Sequence, residues 1–413
     1  MSRAIPMFRS VPRTGVIYVM TEAAKAGFHY GNPEWANLGQ GAPETGPLPG
    51  ANPRVYAIEL EDSIHEYGPV PGIPELREAV AALYNARYRK GRRSQYTAEN
   101  VAISSGGRAG LTRVAASLGN VHLGHMLPDY TAYEELLDVF KAFIPIPILV
   151  RPADGFRLSP EALREEVVGQ GLGAILLSNP CNPTGHTVCG EDLDTWVRIG
   201  RDLGCALIFD EFYSHYQYDG EPGLVESAAR YVENVDKDPV VIVDGLTKNW
   251  RYPGWRVSWT VAPRAVIDRV SSAGSFLDGG SSHPMQQAAV ALVQPEVADR
   301  EAVAIQRAFG TKRAVMLERL QRMGLKVYNE PAGAFYCFAS LEGLPEPLND
   351  GRAFFRAALE RKVITVPGVF FDVNPGHRRS HIPSRMRGFV RLSFGPDLET
   401  VRTGLDRLEA MLS

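Results

Sequence analysis

Cysteine is scarce and unpatterned in this chain of 413 residues. Cys181, Cys189, Cys205 and Cys337 form no C-x-x-C pair, and a chain this long needs no disulfides to build a core. A reducing, cytoplasmic setting is therefore the default. His283, His377 and His381 lack the spacing of metal ligands, so no metal is expected. No apolar run approaches the ~18–20 residues of a membrane helix, which excludes a spanning segment of that kind. A net charge of −3 argues against a general nucleic-acid binder. The opening MSRAIPMFRSVPRTG is basic but lacks the apolar centre of a signal peptide, and it reads as a mobile or partner-tethered arm. Internal repeats and low-complexity linkers are also missing.

What is present is a regular alternation of short apolar runs and helical patterns. Asn100 to Ser104, Ala174 to Ser178, Cys205 to Phe209, Val240 to Val243 and Val257 to Val261 read as strands buried on both faces. Their spacing leaves room for crossover helices, which predicts an α/β fold with a mainly parallel, seven-stranded-type sheet between helices. Pro74 to Arg87 predicts one such helix, with Leu76, Val80, Leu83 and Tyr84 on one stripe. Past about residue 290 the pattern changes. Ala302 to Arg322 reads as a long helix, Ala334 to Leu341 and Gly388 to Gly395 as strands, and Ser340 to Gly351 and Phe371 to Arg387 as loops. The expected organisation is an N-terminal segment (1–50), a large domain (51–290) and a smaller α+β domain (291–413) with which the N-terminal segment packs.

Four polar motifs each follow a predicted strand: SSGGRAG from Ser104, SNPCNPTG from Ser178, DEFY from Asp210 and DGLTKNW from Asp244. Ligands of open α/β sheets bind outside the carboxyl ends of the strands, so these motifs converge on one cleft. The first reads either as a phosphate-binding helix N-terminus or as a plain tight turn. The second either fixes the Asn182 amide against a ligand or is only a rigid proline turn. Asp210 pairs with a cationic ligand atom or caps a helix, and Glu211, pointing the other way, is the weaker candidate. Lys248 ends a buried strand and has Arg256 eight positions on, which suits a covalently attached cofactor aldehyde and its anion. Arg391, flanked by apolar residues in FVRLSF, needs either a structural carboxylate or a substrate anion.

The ordered set YGPVPGIPELREA, SGGRAG, PDYTAY, NPCNPTG, DEFY, TKNWRYPGWR and RLSFG, from about Gly39 to Gly395, resembles the class I/II aminotransferases. These are pyridoxal-phosphate enzymes of the aspartate-aminotransferase fold (fold type I). The resemblance implies that Lys248 is the Schiff-base lysine and proton carrier, and that Asp210 partners the pyridine nitrogen. It implies Asn182 and Tyr213 at the ring oxygen, and Tyr130 stacked on the ring. Arg256, Thr247, Gly107 and Arg108 would hold the phosphate. Arg391 would clamp the substrate carboxylate with Gly41 and Asn182 beside it. Tyr67 would reach the phosphate of a neighbouring subunit, which implies a homodimer. Two positions depart from the family pattern: Gly245 stands where many relatives have a hydroxyl residue, and Ser258 where they often have glycine.

The implied reaction is ping-pong transfer of an amino group between an L-amino acid and a 2-oxo acid, a place in amino-acid metabolism or biosynthesis. Another pyridoxal-phosphate reaction on the same fold (lyase, decarboxylase, cyclase or oxidase) is the alternative, and a non-catalytic amine sensor a more distant one. The basic loop His377 to Arg387 would favour acidic substrates if it overhung the cleft, and otherwise is a solvated surface loop. Tyr18, Trp250, Tyr252 and Trp255 either line an apolar pocket or pack the core. Ser281 to Gln286 would contribute to the partner's site.

Overall fold

The computed structural model describes residues 15–413; the basic arm Met1 to Thr14 lies outside the described residues. In chain order the strands are β1 (Ala36–Asn37), β2 (Val101–Ser104), β3 (His122–Leu127), β4 (Ile144–Leu149), β5 (Leu172–Ser178), β6 (Ala206–Asp210), β7 (Val240–Gly245) and β8 (Ser258–Val261), followed by β9 (Lys326–Val327), β10 (Tyr336–Ser340), β11 (Val363–Ile364), β12 (Val366–Pro367) and β13 (Phe389–Ser393). Seven of them form one sheet in the order β2-β8-β7-β6-β5-β3-β4. Its strands are parallel except β8, which is antiparallel to both β2 and β7.

The apolar runs build this sheet because both of its faces are covered. Side chains alternate across a strand, and the alternation sorts them into two cores. Ile175, Leu177, Leu207, Phe209, Val240 and Ile242 join one core, while Ala174, Leu176, Ile208, Val241 and Val243 join the other. Helices Pro74–Tyr88, Gly107–Ser117, Pro160–Gln170, Gly190–Leu203 and Arg264–Leu277 lie between the strands in sequence. The first buries Leu76, Val80, Leu83 and Tyr84, the expected stripe.

Two strands of this large sheet escaped the sequence reading. β3 carries two histidines and a glycine, and β4 is IPIPIL. Proline cannot donate to a ladder, and β4 accordingly sits at the sheet edge.

β12, β13, β10 and β9 form an antiparallel four-stranded sheet, in which Phe338 lies opposite Arg391. The long helix begins at Pro295 rather than Ala302 and runs to Arg322, 28 residues in all. Proline at its start and Glu296 in its first turn suit a helix N-terminus, though the polar first two turns hide it from a search for apolar periodicity. The N-terminal segment joins the C-terminal part of the chain. β1 pairs with β11, and the helix Gly15–Lys25 begins against Phe370.

Candidate active site

Because β2, β5, β6 and β7 run the same way, their four polar turns open on one edge of the sheet. There they surround a cavity of about 430 Å³. Gly41, Gly107, Arg108, Tyr130, Asn182, Asp210, Tyr213, Thr247, Lys248 and Arg256 all line it. Arg391 lies just behind Asn182. Tyr67 is elsewhere. It is 99% exposed and lies in a separate surface recess with Phe276, Leu277, Ser281 and His283.

Lys248 sits in a one-turn helix, Leu246–Asn249, directly after β7. Its Nζ donates to the Gly41 carbonyl. Part of the residue faces the cavity, yet its amine is deep. Burial, then the nearby Arg391, Arg256 and Arg108, pull its pKa down to about 7. Asp210 ends β6 with its carboxylate buried, and no helix starts there to be capped. Burial pushes its pKa up to about 6, against the hydrogen bond that the Tyr133 hydroxyl donates at 2.9 Å. Glu211 points away, accepting from the Ala228 amide at 2.9 Å.

The glycines of the first turn are set by close approach. Gly106 has φ +86°, and a side chain there would run into the Arg256 guanidinium. A Cβ on Gly107 would lie 2.5 Å from the Phe212 ring. The Thr247 hydroxyl, between this turn and Lys248, is buried without a hydrogen-bond partner. Gly245 and Ser258 face each other across the β7–β8 pair. A Cβ on Gly245 would sit 2.6 Å from Ser258 Cα, so the strand has no room for a side chain there. The Ser258 hydroxyl bonds Ser104 Oγ at 2.8 Å within the sheet.

Arg391 is 1% exposed and forms no ion pair with a carboxylate among the described residues. Its guanidinium donates to Asn182 Oδ1 at 2.8 Å and to the Gly39 carbonyl at 2.5 Å, while its Nε is buried and unpartnered. The rings of Tyr336 and Phe371 flank it at 4.2 and 5.0 Å. Neutral partners, rather than a carboxylate among the described residues, therefore hold this arginine.

The sequence reading missed three polar groups of the site. Tyr133 belongs to the same PDYTAY segment as Tyr130 but gave no separate signal. Asp129 is fully buried, accepting from the Tyr130 amide at 2.7 Å and from Ser178 Oγ at 2.5 Å. Ser178 Oγ in turn accepts from the Asn182 amide at 3.1 Å, so Asp129 ties the Tyr130 turn to the Asn182 turn. Tyr336, the third, shares a 2.8 Å hydrogen bond with Tyr213.

The structure also decides between readings that the sequence left open. The loop His377 to Arg387 does not line the Lys248 cavity but a second recess with Glu134, Glu135 and Asp372. Arg379 pairs with Asp372 at 2.9 Å and Arg387 with Asp350 at 2.7 Å, so much of the loop's charge is already compensated. Trp250 and Tyr252 are core residues, packed on Trp259 and on Trp255 respectively. Tyr18 packs on Phe370. Among the described residues, one group of possible metal ligands comes together, Glu134, Glu135 and His377, all at least partly exposed. No helix among these residues is long and apolar enough to cross a membrane.

Comparison with known proteins gives a consistent picture. A sequence profile of the family "Aminotransferase class I and II" matches residues 33–408. The aspartate aminotransferase of Pyrococcus horikoshii is 28% identical over 86% of this chain and 84% of its own length. The aspartate/prephenate aminotransferase of Thermus thermophilus is 28% identical over 84% of this chain and 83% of its own. Among solved structures, Thermus thermophilus aspartate aminotransferase with maleate superimposes with a TM-score of 0.78 at 23% identity, covering 98% of this chain and all of that one. An aminotransferase from Mycobacterium tuberculosis gives 0.78 at 24% identity, covering 97% of each chain.

Proposed function

The chain belongs to the class I and II aminotransferases, pyridoxal-phosphate-dependent transaminases, and from that premise we propose how its own residues divide the work. The observation that carries the proposal is the meeting, in one cavity, of an amine kept near neutrality (Lys248) with a buried carboxylate (Asp210). The groups around them fit the cofactor. The unpartnered Thr247 hydroxyl, the Arg256 guanidinium and the backbone of the Gly106–Gly107 turn supply donors for a phosphate. Asn182 and Tyr213 face the same space, and Tyr130 offers a ring at its wall.

When bound, pyridoxal phosphate supplies an aldehyde that captures amines and a ring that takes up the electron pair left on Cα. Lys248, about half uncharged near pH 7 and mostly so near pH 8, is a competent nucleophile and then a base for the Cα proton, which its Nζ can return at the neighbouring carbon. Asp210 holds a proton on the ring nitrogen. A buried carboxylate has strong reason to take such a partner, since its charge is otherwise uncompensated. Arg391 binds the substrate carboxylate through the guanidinium edge that Asn182 and Gly39 leave free. We assign the cofactor-binding part to residues 51–290, and the Arg391 side of the cleft to the smaller C-terminal part with the N-terminal segment.

The enzyme acts as a homodimer in this reading. Tyr56 and Tyr67 are 85% and 99% exposed, and Leu60 and Phe276 are also exposed, an apolar surface that a second copy would cover. A cytoplasmic location belongs to the same reading, since a reducing setting suits the four unpaired cysteines. Several relatives are named for aspartate, which makes aspartate with a panel of 2-oxo acids the first set of substrates to assay. Lys248→Ala should abolish turnover and the visible absorbance of lysine-bound cofactor. Normal transamination by that variant would sink the assignment. Turnover without any 2-oxo acid acceptor would point to another pyridoxal-phosphate reaction.

A further inference from the structure

Tyr336 lies in the second sheet, outside every motif that marked the site. It is fully buried, yet three site groups meet at its ring. Its hydroxyl is 2.8 Å from the Tyr213 hydroxyl. The Arg391 guanidinium lies over its face, 4.2 Å from the centroid. A Cβ on Gly41 would come within 2.7 Å of its oxygen, so residue 41 is held to glycine by this phenol. Pairing in the sheet explains the placement: Tyr336 sits opposite Ser393 and Phe338 opposite Arg391, so Tyr336 and Arg391 are diagonal neighbours on one face.

We propose that Tyr336 is a positioning residue for the proposed reaction, whose hydroxyl donates to Tyr213 and thereby turns the Tyr213 proton toward the ring oxygen of the cofactor. The inference rests on the assignment of Tyr213 given above. A phenol has one proton. If Tyr213 gives its proton to the ring oxygen, its bond to Tyr336 requires Tyr336 to be the donor. Accepting that bond makes Tyr213 a stronger donor in turn. A stronger donor at the ring oxygen stabilises negative charge there, which lowers the pH at which the lysine-bound cofactor takes up its proton. The same ring braces Arg391, so the residue joins the carboxylate side of the cleft to the cofactor side. The other groups facing this pair are Arg391, Tyr130, Tyr216 and Asp210, and those facing Lys248 are Arg391, Arg256, Arg108 and Asp210. All of them remain when only the Tyr336 oxygen is removed.

The test is the pH titration of the visible absorbance of the resting holoenzyme. Tyr336→Phe should raise the midpoint by roughly 0.5 unit, the scale of one neutral hydrogen bond, with little change in KM because the ring under Arg391 remains. The same substitution in a Tyr213→Phe background should move the midpoint by less than about 0.1 unit. If Tyr336→Phe does not fold, Gly41→Ala carries the test, since it must displace the phenol and should shift the midpoint upward too. A wild-type midpoint in Tyr336→Phe, or in Gly41→Ala where that variant carries the test, overturns the inference. So does an undiminished shift in the Tyr213→Phe background. Wild-type enzyme loaded with pyridoxal phosphate that shows no visible absorbance at any pH would instead overturn the assignment of Lys248 as the residue that binds it, and a visible band that does not move with pH would overturn the proposed control of its protonation.

Discussion

Replacing Lys248 by methionine should make the cofactor-free enzyme more stable, and by more near neutral pH than in alkali. The lysine's ordinary pKa of 10.5 is lowered in the fold to about 7. The folded chain therefore binds fewer protons than the unfolded chain between those values, and stability rises with pH across that window. Below it the lysine is charged in both states and the full cost of burying the charge is present. Above it the lysine is neutral in both and the cost is gone. At about 1.4 kcal/mol per unit, the cost is on the order of 4 kcal/mol near pH 7 and ~1 kcal/mol near pH 9.5. Methionine removes that cost, while losing the bond to the Gly41 carbonyl at both pH values for about 1 kcal/mol. The gain should therefore be larger near pH 7 than near pH 9.5 by ~3 kcal/mol. Both conditions lie above the value of about 6 for Asp210, so the charge on that group is not what changes. The assay is urea unfolding of both cofactor-free proteins at the two pH values. Equal stabilisation at both would mean that the amine is solvated, and the burial reasoning would fail.

Other substitutions probe the remaining groups. Arg391→Gln should lower kcat/KM for amino acids by about 30- to 5,000-fold, the equivalent of ~2–5 kcal/mol for a buried charge pair, and leave a primary amine lacking a carboxylate nearly unaffected; steady-state kinetics on the two substrates decides it. Asp210 has a folded pKa raised from 3.8 to about 6, so the cofactor-free enzyme loses stability as pH rises through that window. Asp210→Asn should flatten that slope in melting curves between the two values, and cut turnover of the loaded enzyme. Tyr67 touches little in one chain, so Tyr67→Phe should be silent in a monomer. If it reaches the partner's phosphate, equilibrium dialysis should find weaker cofactor binding in Tyr67→Phe.

The Lys248 side of the cavity was legible in the sequence because its residues follow strands whose apolar runs are unmistakable. Val240 to Val243 announces the strand, and Lys248 follows within one turn of its end. The Arg391 side was harder. In sequence, taken alone, a structural carboxylate is the better explanation for the arginine than a substrate. Only the fold gives it neutral partners, an amide, a carbonyl and two aromatic rings. Tyr133 and Tyr336 were invisible for a related reason. Each looks like an ordinary core aromatic in its own segment, and its polar atom gains meaning only from a group far along the chain. The proline-bearing strand β4 was lost because its composition contradicts a central strand, and the edge position that permits it is a tertiary fact.

The antiparallel β8 also bears on the order in which the site assembles. It turns the stretch after β7 into a hairpin, so Gly245 finds Ser258, and Lys248 shares a short loop with Arg256. The Arg391–Gly39 bond spans 352 residues. Loop closure costs more entropy as the loop lengthens, and distant contacts form late in folding. The Lys248–Arg256 loop can thus take shape while the chain is still condensing locally, whereas the contact of Arg391 with Gly39 waits for segments far apart in the chain to meet. A folding intermediate with the large sheet formed would already hold Lys248 in its loop before the Arg391 guanidinium arrives.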